Sequence, residues 1–397
     1  MTRLLLPVAA GVLGAALGAA AALALQSPPA PRLQAAPPPV ALSPDEDRSE
    51  APDQTRVLLV WAAGGLPEGF DDKVAAVRGV RTVSEVRAGR VELLRSSTAA
   101  GETVDRFAAG WTVPLDAFGI TPRTHRRLAP SGARDLFTAL RPGTVLLGAT
   151  SARLRRVDVG DSLTLGGEET FTVAGIADDT LVAAAEVVLT RRDAVRVGVV
   201  APRFLLVEYS GARPRVEAAI RGAAPPGIVL RIRGPGEAPY LRHGDAVLPQ
   251  AVLKEVFGEF AYRPGPGRSF KQEPAWERTN IVAARVPILG TIRCHRVVVD
   301  ALRGAMRALE QRGLDHLLDP DEYRGCWNPR HISAGGALSR HAWGIAVDLN
   351  AGANPTGIGS GQDPRLVDVM ERWGFTWGGF WLIPDPMHFE YLRPPDP

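Results

Sequence analysis

Cysteine is nearly absent from this chain of 397 residues: Cys294 and Cys326 are the only two. They are too few to make a metal site of their own, so they form a disulfide, stay as two buried thiols, or contribute to a site built mainly by others. Excess charge is also missing. The formal net charge is +3, and nucleic acid is not implied as a partner. Long apolar runs are scarce too. One spans Leu4 to Leu25 and no second follows, which argues against a multi-span permease. Charged residues at 22% and apolar ones at 45% are ordinary for folded protein. The length calls for two or three domains.

The Leu4–Leu25 run carries no charge and as a helix would span roughly 33 Å, enough for a bilayer core of about 30 Å. Arg3 precedes it and the next basic residue is Arg32, so the N-terminus is expected in the cytoplasm and the remainder outside. Ala22-Leu23-Ala24 equally suits a signal-peptide cleavage site. Residues 1–26 are thus an anchor or a signal peptide, and the protein is expected at the cell membrane, single-pass with extracytoplasmic domains, or secreted. For an exported chain the disulfide is the favoured state of the cysteine pair. Residues 27–54, with Pro37-Pro38-Pro39 and Asp45-Glu46-Asp47, read as a Pro-rich linker.

Residues 55–235 read as a mixed α/β domain. Strands are expected at Val57–Trp61, Val80–Val86, Arg90–Leu94, Thr144–Leu147, Ser162–Leu165, Thr170–Ile176, Val187–Leu189, Phe204–Val207 and Val229–Ile232. Gly166-Gly167 marks a hairpin, and helices are expected at Asp71–Val77 and Arg215–Arg221. The stretch Leu147-Gly148, Val159-Gly160-Asp161-Ser162-Leu163-Thr164-Leu165 and Val173-Ala174-Gly175-Ile176 loosely resembles the extracytoplasmic core domain of MacB/FtsX-type transporter permeases. The resemblance implies a sensor or docking role with a protein partner. No catalytic constellation occurs in this region.

Residues 236–275 are rich in Gly and Pro and read as a connector, with a short helix from Pro249 to Phe257. The last domain, 276–393, holds six of the eight tryptophans. Leu302, Met306 and Leu309 lie at helical spacing within Asp300–Arg312. A second helix starts at Asp363-Pro364 and stops at Gly374, with Leu366, Val369, Met370 and Trp373 on one face.

This domain carries the chemistry. Two histidines and a carboxylate are a common way to hold zinc while leaving a fourth position open for water, and His341, Asp348 and His388 are the candidates. In Gly344–Asn350 apolar and polar positions alternate, so Asp348 lies on the polar face of a half-buried strand. His341, seven residues earlier, would face the other way on a straight strand, so a bend or bulge is expected at Gly344. Met387-His388-Phe389-Glu390 alternates likewise, with His388 and Glu390 toward the site. Asp385 is placed to take and return a proton. An arginine is needed for the oxyanion or a substrate carboxylate, and Arg330 or Arg324 is the candidate. His331 could line the cleft. Ser339 makes a turn or supports His341, and Glu390 could orient His388. Trp343, Trp377 and Trp381 read as core or cleft wall.

Ser339-x-His341-x-x-Gly344-x-Ala346-x-Asp348, Trp377-Gly378-Gly379 and Asp385-x-Met387-His388-Phe389-Glu390 together resemble the M15 group of zinc peptidases. The group includes D-alanyl-D-alanine carboxypeptidases and phage L-alanyl-D-glutamate endopeptidases. The resemblance covers roughly Trp276 to Tyr391. It implies that His341, Asp348 and His388 bind Zn2+, that Asp385 is the acid/base residue, and that Arg330, or second Arg324, is the catalytic arginine. The implied substrate is a peptidoglycan stem peptide. Many carboxypeptidase members carry Glu where this chain has Asp385, and Asp followed by His-Phe-Glu looks more like the endopeptidase branch. The expected fold class is α+β. A C-terminal hedgehog/D-Ala-D-Ala-peptidase-like zinc domain with an antiparallel sheet follows a separate mixed α/β domain and an N-terminal hydrophobic helix. The expected function is D-alanyl-D-alanine carboxypeptidase-like hydrolysis, with an L-alanyl-D-glutamate-type endopeptidase or a non-catalytic zinc-containing binding module as alternatives.

Overall fold

The computed structural model describes residues 56–234, 248–333, 336–359 and 361–392. The expected anchor or signal peptide (1–26) and linker (27–54) lie outside the described residues. Among those described, no helix is long and apolar enough to cross a membrane.

The apolar run at Val57–Ala62 is buried along its whole length because both faces of the strand are covered. Leu58, Val60 and Ala62 enter one cluster, while Val57, Leu59 and Trp61 enter another. This strand belongs to a ten-stranded mixed sheet. Its path is Leu230–Arg233, Val57–Ala62, Ala201–Tyr209, Val80–Ser97, Val113–Ile120, Val187–Thr190, Thr144–Gly148, Glu169–Ala177 and Ser162–Leu165, with Thr103–Arg106 on the side of Val80–Ser97. Two pairings are parallel, Val113–Ile120 with Val187–Thr190 and Thr144–Gly148 with Glu169–Ala177.

Val80–Val86 and Arg90–Leu94, expected as two strands, are one strand of 18 residues. Arg87, Ala88 and Gly89 stay paired, opposite Gly119, Phe118 and Ala117. The first half of the strand pairs with Ala201–Tyr209. The second half pairs with Val113–Ile120 on one side and Ser162–Leu165 on the other. That last pairing closes six strands into a small barrel. Its interior holds Val91, Leu93, Leu115, Ala117, Val145, Leu147, Leu163, Phe171, Val187 and Leu189.

The C-terminal part has its own core. Helix Arg296–Gln311 buries Val298, Leu302, Ala305, Met306 and Leu309 at helical spacing. Helix Pro364–Arg372 starts where Asp363 accepts a hydrogen bond from the Arg365 amide. Trp373 at its end packs on Gly304, where an added Cβ would lie 2.0 Å from the indole. Residues 248–275, expected as a connector, are packed: Leu253, Phe257, Phe260, Tyr262 and Phe270 share the core of Trp276, Leu302, Met306 and Trp343. The prolines and glycines at 264–267 mark only the turn of a hairpin between Tyr262–Pro264 and Phe270–Gln272.

The same segment joins the two parts. Helix Gln250–Phe257 sends Lys254 to Glu186 at 2.7 Å, and both side chains are fully buried. Gln250 donates to Glu186 and to the Pro114 carbonyl, and Arg155 pairs with Glu259. Thr112 and Tyr262 exchange backbone hydrogen bonds of 3.1 and 2.8 Å.

Candidate metal centre

Three short antiparallel strands form the floor, ordered Ala346–Asp348, His388–Tyr391, Phe375–Trp377. Asp348 stands directly opposite His388, and Ala346 opposite Glu390. Opposed residues share a face, so the alternation in the two segments puts Asp348, His388 and Glu390 together and sends Val347 and Phe389 to the core.

His341 reaches this face differently from the expected bent strand. It sits in a single 3-10 turn, Arg340–Trp343, and the strand begins only at Ala346. The Ser339 hydroxyl caps the turn by accepting from the His341 amide at 3.4 Å. Gly344 ends it in the left-handed region, φ 66°. A Cβ there would lie 2.7 Å from the His295 nitrogen, so glycine is required by both conformation and space.

The loop Tyr323–Asn328 supports both ligands from below. Cys326 is disulfide-bonded to Cys294, which resolves the three readings of the pair and ties the loop to strand Gly290–His295. The Cys326 carbonyl accepts from His341 Nδ1 at 2.9 Å. The Arg324 amide donates to the Asp348 carbonyl at 3.1 Å.

The ligand atoms of His341, Asp348 and His388 all lie within 4.8 Å of one another, and all three residues are buried. Asp348 Oδ1 is 3.2 Å from His341 Nε2 and 2.9 Å from His388 Nδ1. Each ring's far nitrogen faces an acceptor: Cys326 O for His341, and Glu390 Oε1 at 3.3 Å for His388. With a proton on each far nitrogen, two imidazole lone pairs converge on one carboxylate. A cation is what such a donor set fits, and the outer acceptors are the usual means of fixing ligand tautomers. Burial works to lower the His388 pKa, but the Asp348 and Glu390 carboxylates outweigh it and raise it. Burial works to raise Asp348, and hydrogen bonds from the two imidazoles overcome it and hold it low. A metal ion bound here would compete with protons for the ring nitrogens that face Asp348.

Asp385 lies one tight turn from His388, whose amide donates to the Asp385 carbonyl at 3.0 Å. Pro386 favours that turn by its fixed φ. Trp377-Gly378-Gly379 is its cradle. Trp377 Nε1 donates to the Pro386 carbonyl at 2.7 Å, and a Cβ on Gly378 would meet the Asp385 carbonyl oxygen at 2.7 Å.

The two arginines are placed differently. Arg324 turns its guanidinium to the Asp321 carbonyl, 2.9 Å away. Arg330 is half-buried in a stretch bridged to Ser269, and its backbone carbonyl accepts from the Ser339 amide. His331 does not line the cleft; it is buried against Tyr262 and Phe270. Trp343 is fully buried, whereas half-buried Trp381 stacks obliquely at 5.3 Å from His388.

Sequence reasoning missed two polar groups here. Thr356 donates to Asp385 Oδ1 at 2.7 Å. The Tyr323 hydroxyl is buried without a partner among the described residues; burial, then Asp348, raises its pKa. Neither has a sequence signal, because each meets its neighbour only through loop packing.

Residues 333–391 match the model of a peptidase M15 family described as D-alanyl-D-alanine carboxypeptidase. The C-terminal segment is thus M15-peptidase-like, over a short part of the chain. No curated protein matches the chain. Among solved structures, the periplasmic region of MacB from Actinobacillus actinomycetemcomitans is similar at 11% identity and TM-score 0.30, over 46% of this chain and 89% of that one. The extracellular domain of the noncanonic ABC-type transporter YknZ from Gram-positive bacteria is similar at 10% identity and TM-score 0.28, over 41% and 88%.

Proposed function

We propose that the protein is an exported zinc peptidase that hydrolyses peptidoglycan stem peptides, with the C-terminal part, whose core takes in residues 248–275 as well as the expected 276–393, as its compact α+β hydrolytic domain. The reading rests on the convergence of His341, Asp348 and His388, with the outer nitrogens of both rings held. These three would hold zinc, and Asp385 stands one turn away. Zinc bound there supplies a Lewis acid that makes water nucleophilic at neutral pH. Asp385 takes the water's proton and returns it to the leaving amine, and Thr356 orients the carboxylate. Arg330 neutralises the oxyanion or holds a substrate carboxylate. The Asp at 385, where many carboxypeptidases carry Glu, favours an internal bond of the stem peptide as a second reading beside the terminal D-Ala-D-Ala. The disulfide and the apolar N-terminal run support export. Residues 55–235 are proposed as a partner-docking domain.

Defined muropeptides incubated with the purified protein, with and without chelator, test this by mass spectrometry. One amide bond should be cleaved in a chelator-sensitive way. Asp385→Ala should lower turnover by at least about 1000-fold yet keep stoichiometric zinc. Full turnover in that variant would refute the assignment.

A further inference from the structure

The 330–339 stretch matters to the site because it carries Arg330 at one end and runs into His341 at the other. Its two ends lie side by side: His331 bridges Leu338, the Ser339 amide bonds the Arg330 carbonyl, and the Ile332 amide bonds Ala337. Within the C-terminal part, the described residues of this stretch have outside backbone partners in Arg268, Ser269 and Ala342, and Leu338 is buried in the core.

A side chain from the other part of the molecule closes it. Arg90, on the long strand Val80–Ser97, sends one guanidinium nitrogen to two acceptors. Nη1 lies 2.8 Å from His331 Nδ1 and 2.7 Å from the Gly336 carbonyl. One acceptor sits on each arm, so a single planar group spans the pair. The guanidinium is itself aimed: Nε donates to Glu92 at 2.8 Å, and Glu92 accepts from Tyr262 at 2.6 Å and from Thr112 at 2.8 Å. Arg90 also stacks over the Tyr262 ring at 5.8 Å. Its side chain is only 15% exposed, so water competes weakly for these bonds. Nothing in the barrel needs an arginine at this point. Its donors are spent on the peptidase-like part and on the glutamate that orients it.

We propose that Arg90 is a positioning residue for the hydrolytic site: it clamps both arms of the 330–339 stretch and so sets Arg330 relative to the His341 ligand. The 55–235 part then belongs to the working enzyme, because the cleft is complete only with Arg90 in place. This rests on the peptidase reading above.

The test uses the full chain. Wild type, Arg90→Ala, Arg90→Lys, Arg330→Ala and the double variant Arg90→Ala/Arg330→Ala are assayed on a pentapeptide muropeptide, with zinc content measured for each. Arg90→Ala should lower kcat/KM by roughly 10- to 100-fold at unchanged zinc content. Adding it to Arg330→Ala should cost less than about twofold, because both act through the same group. Arg90→Lys keeps the charge beside Glu92 but loses the fork, and should recover only part of the rate. Losses that multiply in the double variant, or an Arg90→Ala rate equal to wild type, would overturn the proposal. Amide exchange reads the clamp without substrate. Ile332 and Ser339 should exchange at least roughly tenfold faster in Arg90→Ala while helix Arg296–Gln311 is unchanged, and equal exchange would also overturn it. A wild type that hydrolyses no muropeptide would refute the peptidase reading and the positioning role with it, while exchange would still decide whether Arg90 holds the stretch.

Discussion

Glu390 shows how much a single residue's meaning depends on its register. Two positions after His388, it shares that residue's face by strand alternation, and this was legible from the sequence. Its Oε1 lies 3.3 Å from His388 Nε2, while the opposite ring nitrogen, Nδ1, faces Asp348 at 2.9 Å. Glu390→Gln keeps a polar partner but removes the charge that makes the imidazole basic. Zinc affinity, measured by competition with a chromophoric chelator, should fall by about 10-fold while zinc stoichiometry at saturation stays at one. His341 was legible as a ligand candidate, with a bend expected at Gly344 to bring it to Asp348. That it joins Asp348 depends on the left-handed Gly344, whose necessity comes from strand Gly290–His295 packed against it.

At the scale of elements, strands with both faces buried were readable as apolar runs, and helices with clear caps were readable as stripes. Val113–Ile120 was not, because Pro114, Asp116 and Gly119 interrupt its pattern. It is nevertheless a central strand: the Asp116 amide donates to Glu186, and the Pro114 carbonyl accepts from Gln250 of helix Gln250–Phe257. Helix Pro122–Leu128 was also missed: it is short and basic, with only His125 and Leu128 buried. Burial lowers the His125 pKa to about 4, with the ring beside Ser84 at 3.0 Å and Phe137 at 4.9 Å. An unfolded histidine titrates near 6.5, so acid unfolding takes up a proton that the folded ring refuses. The stability this contributes is full above about pH 6.5 and is lost as pH falls toward 4. Urea unfolding should show about 2 kcal/mol lost from this group between pH 7 and pH 5. His295, lowered to about 4 by burial despite its bond to the Phe257 carbonyl, adds a similar loss. His125→Gln should therefore remove about 2 kcal/mol of the loss between pH 7 and pH 5, and an unchanged slope would contradict the assignment.

Across the whole molecule, the two parts are held by a charge cluster centred on the fully buried Lys254, Glu186 and Arg155. Lys254 sits between Glu186 and Glu259, at 2.7 and 3.2 Å. A buried pair adds little net stability over an apolar packing, but breaking one leaves an uncompensated charge. Lys254→Met should cost about 3–5 kcal/mol in urea unfolding, and Glu186→Gln in the same chain should restore much of it. If Lys254→Met unfolded like wild type, this contact would not be buried in solution. Arg340, next to His341, donates to the Leu248 carbonyl at 2.8 Å, which ties the start of the segment bearing helix Gln250–Phe257 to the turn at the site.

The spacing of polar and apolar residues determined which side chains share a face, because alternation and helical periodicity are local properties of the backbone. His388 with Glu390, Asp348 on a polar face, and the stripe of Arg296–Gln311 all follow from it. The 3-10 turn by which His341 meets Asp348 and the reach of Arg90 to His331 across 241 positions were decided only by the tertiary structure. The first depends on strand Gly290–His295 packing against Gly344, and the second exists because the two cores pack where they do.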